Sequence, residues 1–255
     1  MIKIVWLKDF MAELYTWKSM AWLLIASVVF SITSYLLLTD KELSLLDQTE
    51  MLWLFGKIII GAALLVVIIH ASSLITSEFE NETAENLFLS PLTMRDFVIG
   101  KLLAALSLWV LVYVVSVPYM LVTSAGSGLT LAFVGYVALF GTLCILSFAL
   151  LAFAVSFPFR SMKNTLTTTL VVMFALSVPA FFSSTLKNNA AAAGFARINP
   201  VDNVFSALDN ILVDYHTQIL QNMTYLLPVV VFCVLMTAAL VFSAKIYGGR
   251  VIAGD

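Results

Sequence analysis

Six apolar runs, each long enough to cross a hydrocarbon layer, decide what this chain can fold into. They occupy roughly residues 19–39, 53–76, 97–123, 129–157, 164–186 and 223–247. A hydrocarbon core of about 30 Å takes about 20 residues of α-helix at 1.5 Å per residue. Each run is continuous rather than alternating, so helices are expected and a barrel of strands is not. Composition agrees: 62% of residues are hydrophobic and 11% charged, and the mean hydropathy is +1.03. A globular domain is about half apolar and a quarter charged. The expected fold is an all-α integral membrane protein, one domain over residues 1–255, with six transmembrane helices. No internal repeat is visible.

The fourth run is longer than a span requires and should tilt or kink. Pro118 and Pro179 sit inside the third and fifth runs, where neighbouring helices must satisfy the freed backbone groups. Cys144 and Cys233 lie deep in apolar runs and read as small core residues. The net charge is −2 and there is no basic run, which gives no support to nucleic-acid binding. Lys3, Lys8, Asp9, Glu13 and Lys18 spread charge ahead of the first run, and no small-residue cleavage site follows it. The start does not read as a signal peptide. Instead Ile2, Trp6, Phe10, Leu14 and Trp17 recur at helical spacing. Residues 1–18 are expected to form an amphipathic helix in the membrane interface; the alternative is an extension of the first span.

Orientation follows the basic residues. With the first residues in the cytoplasm, Lys3, Lys8, Lys18, Arg95, Lys101, Arg160, Lys163, Lys245 and Arg250 fall inside. Lys41, Lys57, Lys187 and Arg197 fall outside. The bias favours a multi-pass chain with both ends cytoplasmic, in a prokaryotic inner membrane. Outside, residues 124–128 form a tight hairpin, whereas about 36 residues separate Leu186 from Met223. Asn199 and Pro200 are a good helix start, cap then first turn. Val201, Val204, Phe205, Leu208, Ile211, Leu212 and Tyr215 make one apolar stripe, with Asp202, Asp209 and Asp214 off it. Residues 187–222 are expected to re-enter or lie on the outer leaflet. Asn222-Met223-Thr224 matches a glycosylation acceptor, a weak signal.

One segment is out of character. SEFENETAENLFLSPLTMRDFVIGK, residues 77–101, carries Glu78, Glu80, Glu82 and Glu85 between two apolar runs. On a helix over 75–88, Glu78, Glu82 and Glu85 share a face. Such carboxylates repel by a few tenths of a kcal/mol per pair, tolerable if solvated or met by a basic partner. Ser90-Pro91 then breaks the helix, and Thr93 to Asp96 forms a capping box for the next one. The segment reads as a compact cytoplasmic protrusion with a rigid exit. A solvated loop or a metal site of clustered Glu are the alternatives.

The order Glu78, Glu80, Thr83, Glu85, Leu87, Ser90-Pro91-Leu92, Gly100-Lys101 resembles the hallmark of permease subunits of type-2 ABC exporters. Residues 199–208, NPVDNVFSAL, are similar to that family's outer motif before the last span. Glu82 departs from the pattern, standing where the family has Gly before Thr83. The resemblance implies that residues 77–96 are a coupling segment. Glu78, Glu80, Glu82, Glu85, Leu87, Ser90, Pro91 and Arg95 would dock, with the N-terminal helix, on a separate cytoplasmic ATPase. It further implies two ATPase copies, which bind ATP and Mg, and a second permease copy, identical or paralogous.

The chain shows no GxxxxGK[ST] phosphate loop, no HExxH and no nucleophile elbow, so enzymatic activity is expected in the partner. Intramembrane polar groups are costly and mark pathway candidates. His70, with Ser73, is a substrate contact, a pH-sensitive gate or a bonded interface histidine. Asn164, Thr165, Thr168 and Thr169 are either packing glue or pathway lining. Lys57 should snorkel to water. No charge is expected at mid-bilayer, which disfavours proton-coupled transport and suits a hydrophobic or amphipathic cargo. The expected function is ATP-driven export; lipid flipping and a non-transporting membrane anchor are the alternatives.

Overall fold

The computed structural model describes residues 2–39, 47–81, 83, 93–181, 190–216 and 218–253. Every regular element among them is helical. α1 (Ile2–Leu14) and α2 (Trp17–Thr39) lead into α3 (Gln48–Glu80), α4 (Met94–Thr123) and α5 (Thr130–Phe159). Then α6 (Met162–Ser177) runs into a 3-10 turn, Val178–Phe181, followed by α7 (Ala190–Ile198) and α8 (Pro200–Leu212). A second 3-10 turn, Ile219–Asn222, opens α9 (Met223–Ala253).

Five stretches are helical, long and apolar enough to cross a membrane: Ser19–Thr39, Gln48–Glu80, Met94–Thr123, Thr130–Phe159 and Leu220–Ile246. The run expected over 164–186 differs. Its α-helix stops after 16 residues, and Pro179 lies in the 3-10 turn that follows. Proline has no N–H for an α-helical bond, so the chain tightens there. Pro118 stays inside α4. α5 runs as one helix of 30 residues, about 45 Å at 1.5 Å per residue. The hairpin at 124–128 is as expected: Gly126 and Gly128 have φ of +90° and +70°, and Ser127 N donates to the Ser124 carbonyl at 3.1 Å.

α3 and α5 form the centre. α3 packs against α2, α4, α5, α6 and α8, while α9 covers the other side of α5. Phe30 on α2, Phe55 on α3 and Phe133 on α5 make a chain of ring contacts with centroids 6.3 and 6.4 Å apart. Aromatic pairs at this separation add attraction beyond their buried area. Close approach and buried hydrogen bonds hold the rest, as helices in lipid require. At Gly141 a Cβ would stand 2.9 Å from the Trp109 ring, and Trp109 Nε1 donates to Thr142 Oγ1 at 2.8 Å. Ser27 and Tyr119 join α2 to α4 through their hydroxyls, 3.0 Å apart.

The N-terminal helix departs from its expected face. Val5 and Asp9 are its buried residues, flanked by half-buried Ile2, Trp6 and Phe10. Trp17 opens α2 instead and is 83% exposed. The reason is the partner surface: α1 packs along α4. A Cβ on Gly100 would lie 2.8 Å from both Cβ and Cγ1 of Val5, so only glycine admits α1 this closely. Trp6 Nε1 donates to Ser107 Oγ at 2.8 Å.

Candidate functional site

α3 ends at Glu80, and the Asn81 amide closes it by donating to the Ser77 carbonyl at 3.0 Å. The shared face expected for Glu78, Glu82 and Glu85 needed one helix through residue 88, so that geometry does not carry over. Glu82, Glu85, Leu87, Ser90 and Pro91 lie outside the described residues.

Glu78 turns inward. Its Oε1 accepts from Lys101 Nζ at 2.9 Å, and Thr83 Oγ1 donates to Oε2. The same ammonium stands 3.1 Å from Oδ2 of Asp9. Lys101 is 3% exposed, and its ammonium lies 5.4 Å from the Phe97 ring centroid. One buried cation therefore joins three elements: α1 through Asp9, the end of α3 through Glu78, and α4 through its own backbone. Burial lifts the Asp9 carboxyl above its ordinary range, and the Lys101 charge offsets this only in part. A buried ionic group of this kind adds little net stability when intact, yet breaking it leaves an uncompensated charge.

The neighbouring side chains clamp the same end of α3 to the α5–α6 junction. Glu80 Oε1 accepts from the Met162 amide at 2.8 Å, the first helical residue of α6. A carboxylate there satisfies an orphan donor and meets the positive end of the helix dipole. Phe79 packs edge-on against Phe157 with centroids 6.0 Å apart, and the Arg160 guanidinium lies 6.0 Å from the Phe79 ring. Arg160 itself ends α5 at φ +49°.

At the start of α4, Thr93 Oγ1 accepts from Asp96 N at 3.1 Å and donates to Asp96 Oδ2 at 2.9 Å. The cap forms as expected, but the acid closes on the hydroxyl rather than on the Thr93 amide. Arg95 is exposed in that first turn.

The pathway candidates separate into two groups. Thr165 and Thr169 are fully buried on the helix that packs against α3, where Ser72 and Thr76 are equally buried. Asn164 is exposed and Thr168 half-exposed. The i, i+4 spacing thus puts the two pairs on different faces of α6. His70 and Ser73 are half-buried, and Ser73 Oγ donates to the His70 carbonyl at 2.7 Å. Lys57 reaches one turn toward the start of α3, where its ammonium meets the Trp53 ring at 3.4 Å.

The outer motif is a clamp. Asn199 is 2% exposed and caps α8, Oδ1 accepting from Val201 N at 2.9 Å and Asp202 N at 3.4 Å. Its Nδ2 donates to the Leu176 carbonyl, at the point where Pro179 stops α6. Asn203 Nδ2 donates to the carbonyls of Ala196, Arg197 and Asn199, at 3.0, 3.0 and 2.7 Å. Pro200 is buried at the first position of α8. The apolar stripe is buried from Val201 to Leu212, but Tyr215 is 59% exposed, beyond the end of α8 at φ +58°. Asp202, expected off the stripe, is buried as well. The Asn222 side chain is closed off: its amide donates to the His216 and Gln218 carbonyls at 2.8 and 3.0 Å.

Asp9 and Lys101 are the residues that the sequence reading did not single out as a site. Lys101 stands inside an apolar run, and a cation in such a run is a functional signal. Its partners are far away in sequence and only the fold brings them together. The family model described as ABC-2 family transporter protein matches residues 31–239, a stretch that includes Glu78, Lys101 and the outer motif. No curated protein matches the chain.

Proposed function

The chain belongs to the ABC-2 transporter family, and from that premise we propose that it is the permease subunit of an ATP-driven exporter of hydrophobic or amphipathic cargo. Its family is one of multi-pass membrane permeases that work with an ATP-binding subunit. In this reading two permease copies form the pathway and two cytoplasmic ATPase copies bind ATP and Mg. Both ends of the chain face the cytoplasm of a prokaryote, and α6 with its 3-10 turn completes a sixth crossing. α7 and α8 form the re-entrant outer segment.

The observation that carries the reading is the Lys101 junction, where Lys101 Nζ lies 2.9 Å from Glu78 and 3.1 Å from Asp9. Closure of the ATPase pair pushes residues 77–92. The end of α3 cannot move alone, because Glu78 draws α1 and α4 with it through Lys101, and Glu80 draws α6 through the Met162 amide. Movement of the cytoplasmic segment thereby becomes rocking of the helices that line the cargo route. Glu78 and Glu80 act as internal fasteners, leaving Glu82, Glu85 and Arg95 as the docking charges, where complementarity sets register and on-rate.

Glu82→Lys with Glu85→Lys tests this. The paired reversal should release the ATPase or leave hydrolysis running without transport, while the permease still folds. Undiminished co-purification together with coupled transport would count against the docking role.

A further inference from the structure

A cavity of about 570 Å³ opens between α2, α3, α6 and α8. Small-molecule sites commonly measure about 300–1,000 Å³. The wall is apolar almost throughout. Among the described residues lining it, Lys57 is the one charged side chain and Ser177 the one hydroxyl. The Lys57 ammonium is held in position, 3.4 Å from the Trp53 ring centroid and 5.4 Å from that of Phe205. Trp53 Nε1 donates to the Phe205 carbonyl at 3.0 Å, which fixes the indole under the cation. A cation seated on aromatic faces keeps its charge and gives up part of its hydration.

Gly61 lies one turn along α3 from Lys57 and lines the same cavity. A Cβ there would meet nothing within 4 Å. Gly141 is the contrast, since Trp109 already fills its notch to 2.9 Å. The space beside Gly61 is open room, not a packing notch between helices.

We propose that this cavity binds a single-chain acidic amphiphile, a long-chain carboxylate or its chemical equivalent, with the head group on Lys57 and the chain running past Gly61 between Val29 and Phe174. One lining cation matches one negative charge. The apolar wall matches a hydrocarbon chain, and the volume matches one chain better than two. The claim that this ligand is cargo rests on the export reading; the claim that it binds does not.

The test uses the purified full chain in phosphatidylcholine nanodiscs. Quenching of tryptophan fluorescence is followed with a brominated long-chain carboxylate and with the matching brominated alcohol, each expressed per bilayer lipid. Trp22 lines the cavity and Trp53 sits beneath the cation, so an occupant quenches both. The carboxylate should reach half-quenching at a roughly tenfold lower level than the alcohol, the size of one charge-assisted contact. Lys57→Gln should erase that gap and leave the alcohol unchanged. Gly61→Leu should weaken both at least tenfold with thermal unfolding unaltered, because it fills open space. Equal binding of acid and alcohol, a gap that survives Lys57→Gln, or binding untouched by Gly61→Leu would each overturn the proposal. So would competition by phosphatidylglycerol mole for mole, which would assign the cavity to a diacyl lipid. Selective carboxylate binding in a chain that captures no ATPase supports the site and sinks the export reading; capture of an ATPase without such binding does the reverse.

Discussion

Replacing Lys101 by Met removes one ammonium and strands two carboxylates. The side chains of Asp9 and Glu78 are 9% and 13% exposed, so neither recovers much hydration. At distances of 2.9 and 3.1 Å and an effective dielectric near 20, each attraction is on the order of 5–6 kcal/mol. Desolvating three ions costs several kcal/mol apiece, so the intact group is close to break-even. Lys101→Met loses both attractions and keeps two desolvation penalties, with relaxation and proton uptake limiting the damage. The expected loss is about 3–5 kcal/mol, the usual cost of breaking a buried pair. Thermal unfolding of the nanodisc-embedded chain should fall by on the order of 10 °C, and amides of α1 should exchange faster. The neutral triple variant, Asp9→Asn, Glu78→Gln and Lys101→Met, should regain most of that loss, since no stranded charge remains. A single variant within about 0.5 kcal/mol of wild type, or a triple variant worse than the single, would refute the reasoning.

Gly100→Leu should push α1 off α4, because a Cβ at that position already lies 2.8 Å from Val5; a loss of about 1–3 kcal/mol and loss of α1 exchange protection are expected, with Val5→Gly as partial rescue. Asn199→Asp keeps the α8 cap but loses the donor to the Leu176 carbonyl, whereas Asn199→Ala loses both. Thermal unfolding should rank the two, Ala being lower by about 1 kcal/mol. Because the docked Asp9 carboxyl is raised by burial, docking of α1 takes up a proton. It is strongest below the ordinary carboxylate range and weakens as pH rises through the docked value. Exchange protection of α1, corrected for intrinsic rates, should therefore fall from acid toward neutral pH, and Asp9→Asn should flatten that dependence.

Most of the architecture is legible in the sequence because lipid leaves few solutions. Five of the expected runs are helices of spanning length, since apolar length and internal hydrogen bonding allow little else. Local caps are equally readable: Thr93 and Asn199 cap α4 and α8 because their side chains reach amides two or three residues away. The fifth run is harder. Its hydropathy carries on past Pro179, but the missing N–H ends the α-helix at Ser177, and backbone chemistry overrides composition there. The acidic segment is the other misfit. Spacing puts Glu78 beside Glu82 on an imagined helix, but nothing local to it indicates that α3 stops at Glu80 or that Lys101 and Asp9 wait nearby. Those contacts span 23 and 92 residues of sequence. They depend on Gly100 admitting α1, a tertiary fact with no periodic signature.

The central claim is that this permease works through a separate ATPase gripping the segment after α3. The direct test is to purify the tagged chain from membranes in which its neighbouring genes are co-expressed, and to measure ATP hydrolysis in the recovered complex with and without candidate amphiphiles. The account predicts that an ATPase subunit is retained and that its turnover rises with cargo. It predicts also that Glu82→Lys with Glu85→Lys loses the subunit or its coupling. A folded chain that recovers no ATPase, or one whose partner hydrolyses ATP indifferently to every amphiphile and to both reversals, would contradict it.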